Sequence, residues 1–224
     1  VDFPDFNLKL AKSLKKRGHT IIYYISPQLW AWRKYRVATI RKYVDLMLTI
    51  LPFENAWYEA QGVNHAEYVG HPLANEVTAV RSKGEFCRDT GLDESKPIIS
   101  LLPGSRHKEI SFTLPVMLEA ATSMTAADGN IQFVVPIVSN KDRADVDAAI
   151  KRIAPKANLT VVEGATYDAL NASDAAAVTS GTATLETGII GTPLVIVYKG
   201  TALNYALLKP LISVEHYGLI NLIA

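Results

Sequence analysis

The residues best suited to chemistry lie at a turn in the last quarter of the sequence. Thr179-Ser180-Gly181-Thr182 separates the apolar run Ala175–Val178 from Thr182–Ile190, which has helical spacing. Hydroxyl groups there can cap the helix, the glycine lets a ligand approach the backbone, and the free N–H groups of a first helical turn favour phosphate. Glu186 follows about one turn later and could accept hydrogen bonds from ribose hydroxyls. We therefore predict a nucleotide-diphosphate site, the alternative being an ordinary capped helix with a solvated glutamate.

A second turn with suitable chemistry follows the apolar segment Pro97–Leu102. It reads Pro103-Gly104-Ser105-Arg106, and an arginine at this position can bind a diphosphate in a bidentate way and neutralise a leaving group. The turn lacks the Gly-Lys-Ser/Thr ending of a Walker loop and the Gly-x-Gly-x-x-Gly pattern of a dinucleotide site. The sequence therefore argues against a P-loop NTPase and a Rossmann dehydrogenase.

The first half of the sequence carries an unusual loop, Ser26–Arg33, with the letters SPQLWAWR. Trp30, Trp32, Arg33 and Lys34 suit a membrane boundary or an amphiphilic ligand, because an indole is apolar with one donor and the cations meet phosphate. The alternative is that both tryptophans pack into the domain. His71, in a Gly-His-Pro turn, also has two possible roles. It contacts a ligand, or it is a structural histidine whose hydrogen bonds are made within the protein.

Composition narrows the class of protein. The 224 residues are 49% hydrophobic and 20% charged, enough for a real core, and the formal net charge of +1 argues against a nucleic-acid binder that relies on a strong positive field. The single cysteine, Cys87, cannot form an intrachain disulfide, which favours a reducing compartment. We find no apolar run of membrane-spanning length and no zinc-type cluster.

Strands and helices are expected to alternate, which predicts α/β architecture with doubly wound parallel sheets and ligands at the carboxyl ends of the strands. We expect an incomplete first domain at 1–75, a linker at 76–96 and a donor-binding domain at 97–224. The expected strands are Thr20–Ile25, Leu46–Leu51, Glu67–Val69, Pro97–Leu102, Ile131–Pro136, Leu159–Val162, Ala175–Val178 and Pro193–Tyr198. The expected helices are Asp5–Lys16, capped at or near Asp5, Lys34–Tyr43, Asn55–Gln61, Ile110–Ala127, Lys141–Ile153, Tyr167–Ala172, Thr182–Ile190 and Leu203–Leu211.

Seven strings in order resemble lipid-A-disaccharide synthase, an inverting GT-B glycosyltransferase family of bacterial endotoxin biosynthesis. They are VDFPDFN, YYISPQLWAWR, LPFE, YVGHPLAN, LLPGSRHKEI, FVVPIV and SGTATLETGIIGTPLVIVYK. The resemblance covers essentially the whole chain. Members of that family extend beyond both of its ends, so we expect a fragment.

The resemblance implies a reaction and roles for individual residues. A diacylglucosamine unit would pass from UDP-2,3-diacylglucosamine to 2,3-diacylglucosamine 1-phosphate (lipid X), with inversion and without a metal or other cofactor. Asp2 matches the family's expected general base, supported by Asp5 and Asn7, although capping is an equal alternative for Asp5. Arg106 and the helix start at Ser180–Thr182 would balance charge on departing UDP, Glu186 would hold ribose, and Asn221 matches an asparagine near the donor phosphates.

The resemblance also implies partners. These are the two acylated sugars and the inner face of the bacterial inner membrane, on the cytoplasmic side, with no nucleic acid and with a homodimer allowed. Two alternatives stay open. A UDP-sugar epimerase shares the architecture, and the chain could be an inactive fragment that binds UDP or a membrane.

Overall fold

A computed structural model describes residues 3–138, 143–154, 156–199 and 220–221. These residues form two compact units, and the division falls between Ala74 and Asn75. The expected strand–helix alternation is confirmed in both units. The expected helix Leu203–Leu211 lies outside the described residues. Within those residues, we find no helix that combines the length and the apolar character needed to cross a bilayer.

The first unit, residues 3–74, contains a three-stranded parallel sheet in the order β1-β2-β3. Its strands are β1 Ile22–Tyr24, β2 Leu46–Thr49 and β3 Ala66–Tyr68, and its helices are α1 Pro4–Lys15, α2 Val37–Tyr43 and α3 Glu54–Ala60, with a 3₁₀ turn at Lys34–Arg36 before α2. The core of this unit joins one face of α1 and α2 to the central strand. Leu8, Ile40 and Met47 are all buried there, as helical and strand periodicity predict.

The second unit contains a five-stranded parallel sheet in the order β6-β5-β4-β7-β8. Its strands are β4 Ile98–Leu102, β5 Gln132–Ile137, β6 Asn158–Glu163, β7 Ala175–Thr179 and β8 Leu194–Val197. Its helices are α5 Lys83–Thr90, α6 His107–Ala127, α7 Arg143–Ile153, α8 Thr166–Ala172 and α9 Thr182–Ile190, and a single-turn helix, α4 Leu73–Glu76, spans the division between the units. The strand order reverses between β4 and β7, and ligands of doubly wound sheets bind at such a switch point.

Both faces of this sheet are covered, which explains its apolar central strands. Phe133 packs with α6 and α7, whereas its neighbour Val134 packs in a different cluster with α5 and α8. All residues of β5 are buried. Continuous apolar runs are typical of parallel strands for this reason.

The stretch expected to be a linker, 76–96, instead contains α5 and forms part of the second unit. A capping box starts this helix, in which Ser82 and Glu85 bond each other's backbone N–H groups. Phe86 and Cys87 on its inner face are buried against Ile98. The segment resembles a linker in sequence because charged residues interrupt its apolar period and Gly84 and Gly91 break the pattern. Two buried apolar side chains nevertheless attach this short helix to the core.

Candidate functional site

A cleft of about 580 Å³ opens at the carboxyl ends of β4, β5, β6 and β7 in the second unit. The turns that follow these strands build its walls, so residues far apart in sequence meet there because all the strands are parallel. Its polar lining residues are Thr78, Ser105, Arg106, Glu109, Thr166, Tyr167, Asp168, Thr179, Ser180, Thr182 and Glu186. The structure therefore brings together the two turns singled out in the sequence, which contain Gly104 and Gly181, and Glu186 lines the same cleft.

Helix α9 begins at this cleft without a side-chain cap, which corrects the expectation that a hydroxyl group caps it. Its N-cap is Gly181, with φ 155° and ψ −163°, a conformation that is essentially restricted to glycine. The Thr184 hydroxyl instead donates to the Gly181 carbonyl at 2.8 Å. Thr182 and Ala183 line the cleft, and the N-cap makes no side-chain hydrogen bond, so the start of α9 offers its backbone N–H groups and the positive end of its dipole to the cleft.

Arg106 lies at the opposite turn, directly before α6. Its side chain is 82% exposed, and its Nη1 atom lies 2.7 Å from Glu109 Oε1. The other Glu109 oxygen accepts a hydrogen bond from the Ser105 backbone N–H at 3.3 Å. Gly104 passes close to this carboxylate with φ 107°, and a Cβ atom there would lie 2.7 Å from Glu109 Oε2. The turn thus requires glycine and presents one guanidinium group to the cleft.

Glu186 and Tyr167 form a pair on the same cleft wall. The Tyr167 hydroxyl donates to Glu186 Oε1 at 3.4 Å. Burial raises the pKa of the Glu186 carboxyl, although the bond from Tyr167 acts in the opposite direction. The pKa of Tyr167 is also raised, first by burial and then by the nearby carboxylate. A half-buried carboxylate held in this way suits the recognition of ligand hydroxyl groups.

A buried pair of threonines joins the two turns. Thr179, the last residue of β7, donates from Oγ1 to Thr113 Oγ1 at 3.3 Å. The Thr113 hydroxyl lies 2.5 Å from the Pro103 carbonyl at the end of β4. Both threonines are less than 10% exposed. This chain of contacts fixes the end of β7 relative to the turn that carries Arg106.

Asp168 anchors the segment that enters the second unit. Its Oδ1 accepts the backbone N–H groups of Val80 and Arg81 at 2.7 and 2.9 Å, and its Oδ2 accepts from Arg81 Nε at 2.9 Å. Burial acts to raise the pKa of Asp168, but these hydrogen bonds outweigh it and lower that pKa overall. Asp168 therefore positions the wall formed by Thr78 and Val80.

Trp30 is buried in the first unit, which corrects the expectation that it contacts a membrane or an acyl chain. Its indole is 9% exposed, packs edge-on against Phe53, and donates from Nε1 to Glu54 Oε1 at 3.2 Å. Leu29 beside it is also buried. Neither residue is exposed for membrane or acyl contact in this structure, because the loop folds back over the α3 start.

The remaining residues of that loop are exposed. Trp32 is 47% exposed and lies beneath the Arg33 guanidinium, at 4.4 Å from ring centroid to Cζ, and Lys34 is exposed beside them. Arg33 adopts a left-handed conformation, φ 56°, that is uncommon for a residue other than glycine. Indole and cation therefore stand together on the surface, as the prediction for Trp32, Arg33 and Lys34 requires.

Asp5 lies near the cap of α1, as expected, but it is not the N-cap residue itself. Phe3 is the N-cap, without a side-chain bond, and Asp5 lies inside the first turn. Its carboxylate pairs with Arg36 and Arg33, and these contacts, the Arg36 hydrogen bond first, lower its pKa. A carboxylate so stabilised is a poor proton acceptor, and Asn7 Nδ2 meanwhile donates to the Tyr23 hydroxyl at 3.4 Å.

The outcomes for three other sequence-predicted residues differ. Asp2 is outside the described residues. Asn221 is an exposed helical residue that does not line the cleft. His71 accepts the Leu73 backbone N–H at Nδ1, 3.2 Å away, and burial lowers its pKa.

Sequence reasoning missed Glu109, Tyr167 and Asp168 as parts of the site. The sequence could have indicated Glu109, because it follows Arg106 by three residues in the first turn of α6. No local pattern in the sequence indicates Tyr167 or Asp168. Over the described ranges, we find no group of three or more His, Cys, Asp or Glu side chains arranged to hold a metal ion.

The parallel sheets confirm the expected α/β fold class, and a solved structure shares this architecture. A solved structure described as a UDP-N-acetylglucosamine 2-epimerase from Listeria monocytogenes superposes on 98% of this chain and 68% of its own, with a TM-score of 0.56 and 11% sequence identity. That likeness shows the fold alone.

The family model described as lipid-A-disaccharide synthetase matches residues 1–224, and the chain belongs to that family. Proteins named lipid-A-disaccharide synthase from Syntrophus aciditrophicus and Trichlorobacter lovleyi are 48% and 44% identical to it over 224 residues. Those alignments cover all of this chain and 58% of each relative, so the chain spans less than two thirds of their length.

Proposed function

We propose that this chain carries the UDP-sugar donor site of a lipid-A-disaccharide synthase. The observation behind the proposal is the cleft in which Arg106 and the uncapped start of α9 face one space, with Glu186 one helical turn further along. A diphosphate fits a helix start and a guanidinium group, and a ribose fits a carboxylate. In this proposal residues 75–199 serve the donor, and residues 3–74 serve the acceptor and the membrane side.

The proposed reaction is a single displacement. The 6-hydroxyl oxygen of 2,3-diacylglucosamine 1-phosphate attacks the anomeric carbon of UDP-2,3-diacylglucosamine, and the bond from that carbon to the UDP oxygen breaks. The hydroxyl proton passes to a carboxylate, and UDP leaves with the bonding electron pair. Attack from the opposite side inverts the anomeric carbon. The products are the lipid A disaccharide 1-phosphate and UDP.

Asp2 is our candidate for the general base, because it matches the family's expected base in the VDFPDFN string. Asp5, the other carboxylate of that string, has a lowered pKa and two arginine partners, which makes it a supporting group instead. Asp2→Asn in the active enzyme should abolish turnover and leave UDP-sugar binding intact. Near-normal turnover, with chemistry rate-limiting, would exclude Asp2 as the base.

We further propose that donor binding needs no divalent metal, since Arg106 and the α9 start can balance the charge on departing UDP. Calorimetry of UDP with the parent chain, Arg106→Ala and Arg88→Ala tests the site. Arg88 is an exposed arginine of the same unit that does not line the cleft, and it controls for net charge.

Arg106→Ala should lose about tenfold to a hundredfold in affinity, the worth of a charge-assisted contact, and Arg88→Ala should lose almost none. EDTA should leave binding unchanged. Equal affinity in all three proteins, or loss of binding in EDTA, contradicts the site. Release of an epimerised UDP-sugar without acceptor would instead favour an epimerase.

The proposed substrates carry acyl chains, so we also propose peripheral association with the cytoplasmic face of the inner membrane. The exposed Trp32, Arg33 and Lys34 provide the apolar ring and the cations that such a surface binds. A homodimer stays a prediction that sedimentation equilibrium tests.

A further inference from the structure

Glu109 occupies the start of α6, one of the helices that begin at the cleft. It is the third residue of α6, where its carboxylate accepts the Ser105 N–H at 3.3 Å and the Arg106 Nη1 hydrogen at 2.7 Å. The start of α9 across the cleft has no side-chain cap. The two helix starts therefore differ, because one already holds an anionic group of the protein itself.

This carboxylate limits the conformations of Arg106. An arginine side chain that is 82% exposed would otherwise sample many rotamers, and immobilising it on a ligand would cost side-chain entropy. Glu109 is less exposed, at 33%, and packs so close to Gly104 that a Cβ atom on that glycine would clash with it. Glu109, the less exposed side chain, thus restrains the more exposed Arg106 side chain.

We propose that Glu109 is a positioning residue that orients the Arg106 guanidinium for the diphosphate of a nucleotide ligand. Only one Arg106 nitrogen is bonded to Glu109 in the structure, so the guanidinium keeps further N–H donors for phosphate oxygens. The negative charge of Glu109 opposes an incoming diphosphate, and the orienting effect must exceed that repulsion. This inference rests on the proposed donor site.

A double-mutant cycle in the chain, with UDP affinity measured by calorimetry, separates this role from general support of the fold. The four proteins are the parent, Glu109→Ala, Arg106→Ala and the double variant. Glu109→Ala should weaken UDP binding about fivefold in the parent and less than twofold when Arg106 is already alanine. Urea unfolding of each variant establishes that it is folded.

Glu109→Gln keeps the size of the side chain and one acceptor oxygen, so it should recover at least half of the loss in log affinity. If Glu109→Ala does not fold, Glu109→Ser carries the same cycle, because its short side chain also removes the carboxylate beside Arg106. Asp147→Asn is the matched control, because Asp147 pairs with Arg143 on α7 at 3.0 Å, away from the cleft. It should leave UDP affinity unchanged.

Equal losses on changing Glu109 in the two Arg106 backgrounds would overturn the inference, because Glu109 would then act independently of Arg106. Unchanged or tighter binding in Glu109→Ala would overturn it as well, since repulsion would then dominate. Full UDP affinity in Arg106→Ala would remove the proposed donor site itself, and the inference with it. The failure of the inference alone is therefore distinguishable from the failure of the site.

Discussion

Trp30 Nε1 lies 3.2 Å from Glu54 Oε1, and both side chains are buried. The other Glu54 oxygen accepts the backbone N–H groups of Ile50 and Leu51, at 3.1 and 3.0 Å. One carboxylate therefore joins the loop after β1 to the loop after β2. Burial raises its pKa in spite of these three donors. The contact holds the exposed Trp32 and Arg33 at a defined place on the surface.

The two tryptophans of that loop should respond differently to mutation. Trp30→Phe removes a donor from a buried carboxylate and should lower the free energy of unfolding by about 1–3 kcal/mol. Trp32→Phe at the exposed site should change it by less than about 0.5 kcal/mol. Urea unfolding measures both values, and acrylamide should quench the parent more strongly than Trp32→Phe. Equal destabilisation would contradict the assigned burial.

Asp168→Asn should destabilise the second unit in a pH-dependent way. Because the pKa of Asp168 is lowered in the folded state, its stabilising contribution is present above the unfolded-state pKa and is lost as the pH falls through the folded-state pKa. We expect a loss of about 1.5–3 kcal/mol at pH 7 that shrinks toward pH 3. Asp147→Asn, which breaks a surface pair, should cost about 0.3–0.5 kcal/mol. A difference between parent and Asp168→Asn that is independent of pH would argue against this contribution.

Gly104→Ala should reduce both stability and UDP binding. The new methyl group meets Glu109 at 2.7–2.8 Å in a backbone conformation with positive φ. Gly91 also has positive φ, 75°, but a Cβ atom there meets nothing within 4 Å, so Gly91→Ala controls for backbone strain. Each variant should lose about 1 kcal/mol or more of stability. Only Gly104→Ala should bind UDP more weakly. An equal UDP affinity in the two variants would show that this turn does not contribute to UDP binding.

Tyr167→Phe tests the proposed ribose contact of Glu186. Loss of the hydroxyl frees the carboxylate to rotate and removes the bond that lowers its pKa, so that pKa should rise further. UDP affinity should fall about twofold to tenfold, the worth of a neutral hydrogen bond. The preference for UDP over 2′-deoxy-UDP, measured by calorimetry, should fall too, as it should in Glu186→Gln. An unchanged preference in both variants would place the ribose elsewhere.

Vesicle binding should depend on Trp32, Arg33 and Lys34. The triple alanine variant should sediment less with anionic vesicles than the parent at low salt, since each basic residue near such a surface contributes about 1 kcal/mol. High salt should reduce binding of the parent. Tyr24→Ala/Lys16→Ala/Arg17→Ala removes one exposed aromatic and two basic residues of the same unit and should keep its binding. Equal sedimentation of parent and triple variant would exclude this surface.

Local patterns in the sequence were sufficient for most elements of the second unit. The bounds of Thr182–Ile190 are those predicted, and Ala175–Thr179 is one residue longer than expected. Buried parallel strands need continuous apolar runs, and helices packed on them need a 3.6-residue period, so each element carries its own signal. Alternation of the two kinds then implied that the turns of Arg106 and Gly181 lie at one sheet edge.

The sequence by itself thus determined the fold class, the family and the two turns of the candidate site, whereas tertiary contacts decided which side chains are available. Trp30 and Trp32 stand two residues apart in the same polar and aromatic context, yet only Trp30 is buried, because its partner Glu54 comes from another loop. Tyr167 joins Glu186 across 19 residues in the same way. The burial and pairing of these side chains depend on contacts between elements, and the local periodicity of the sequence does not specify which elements make contact.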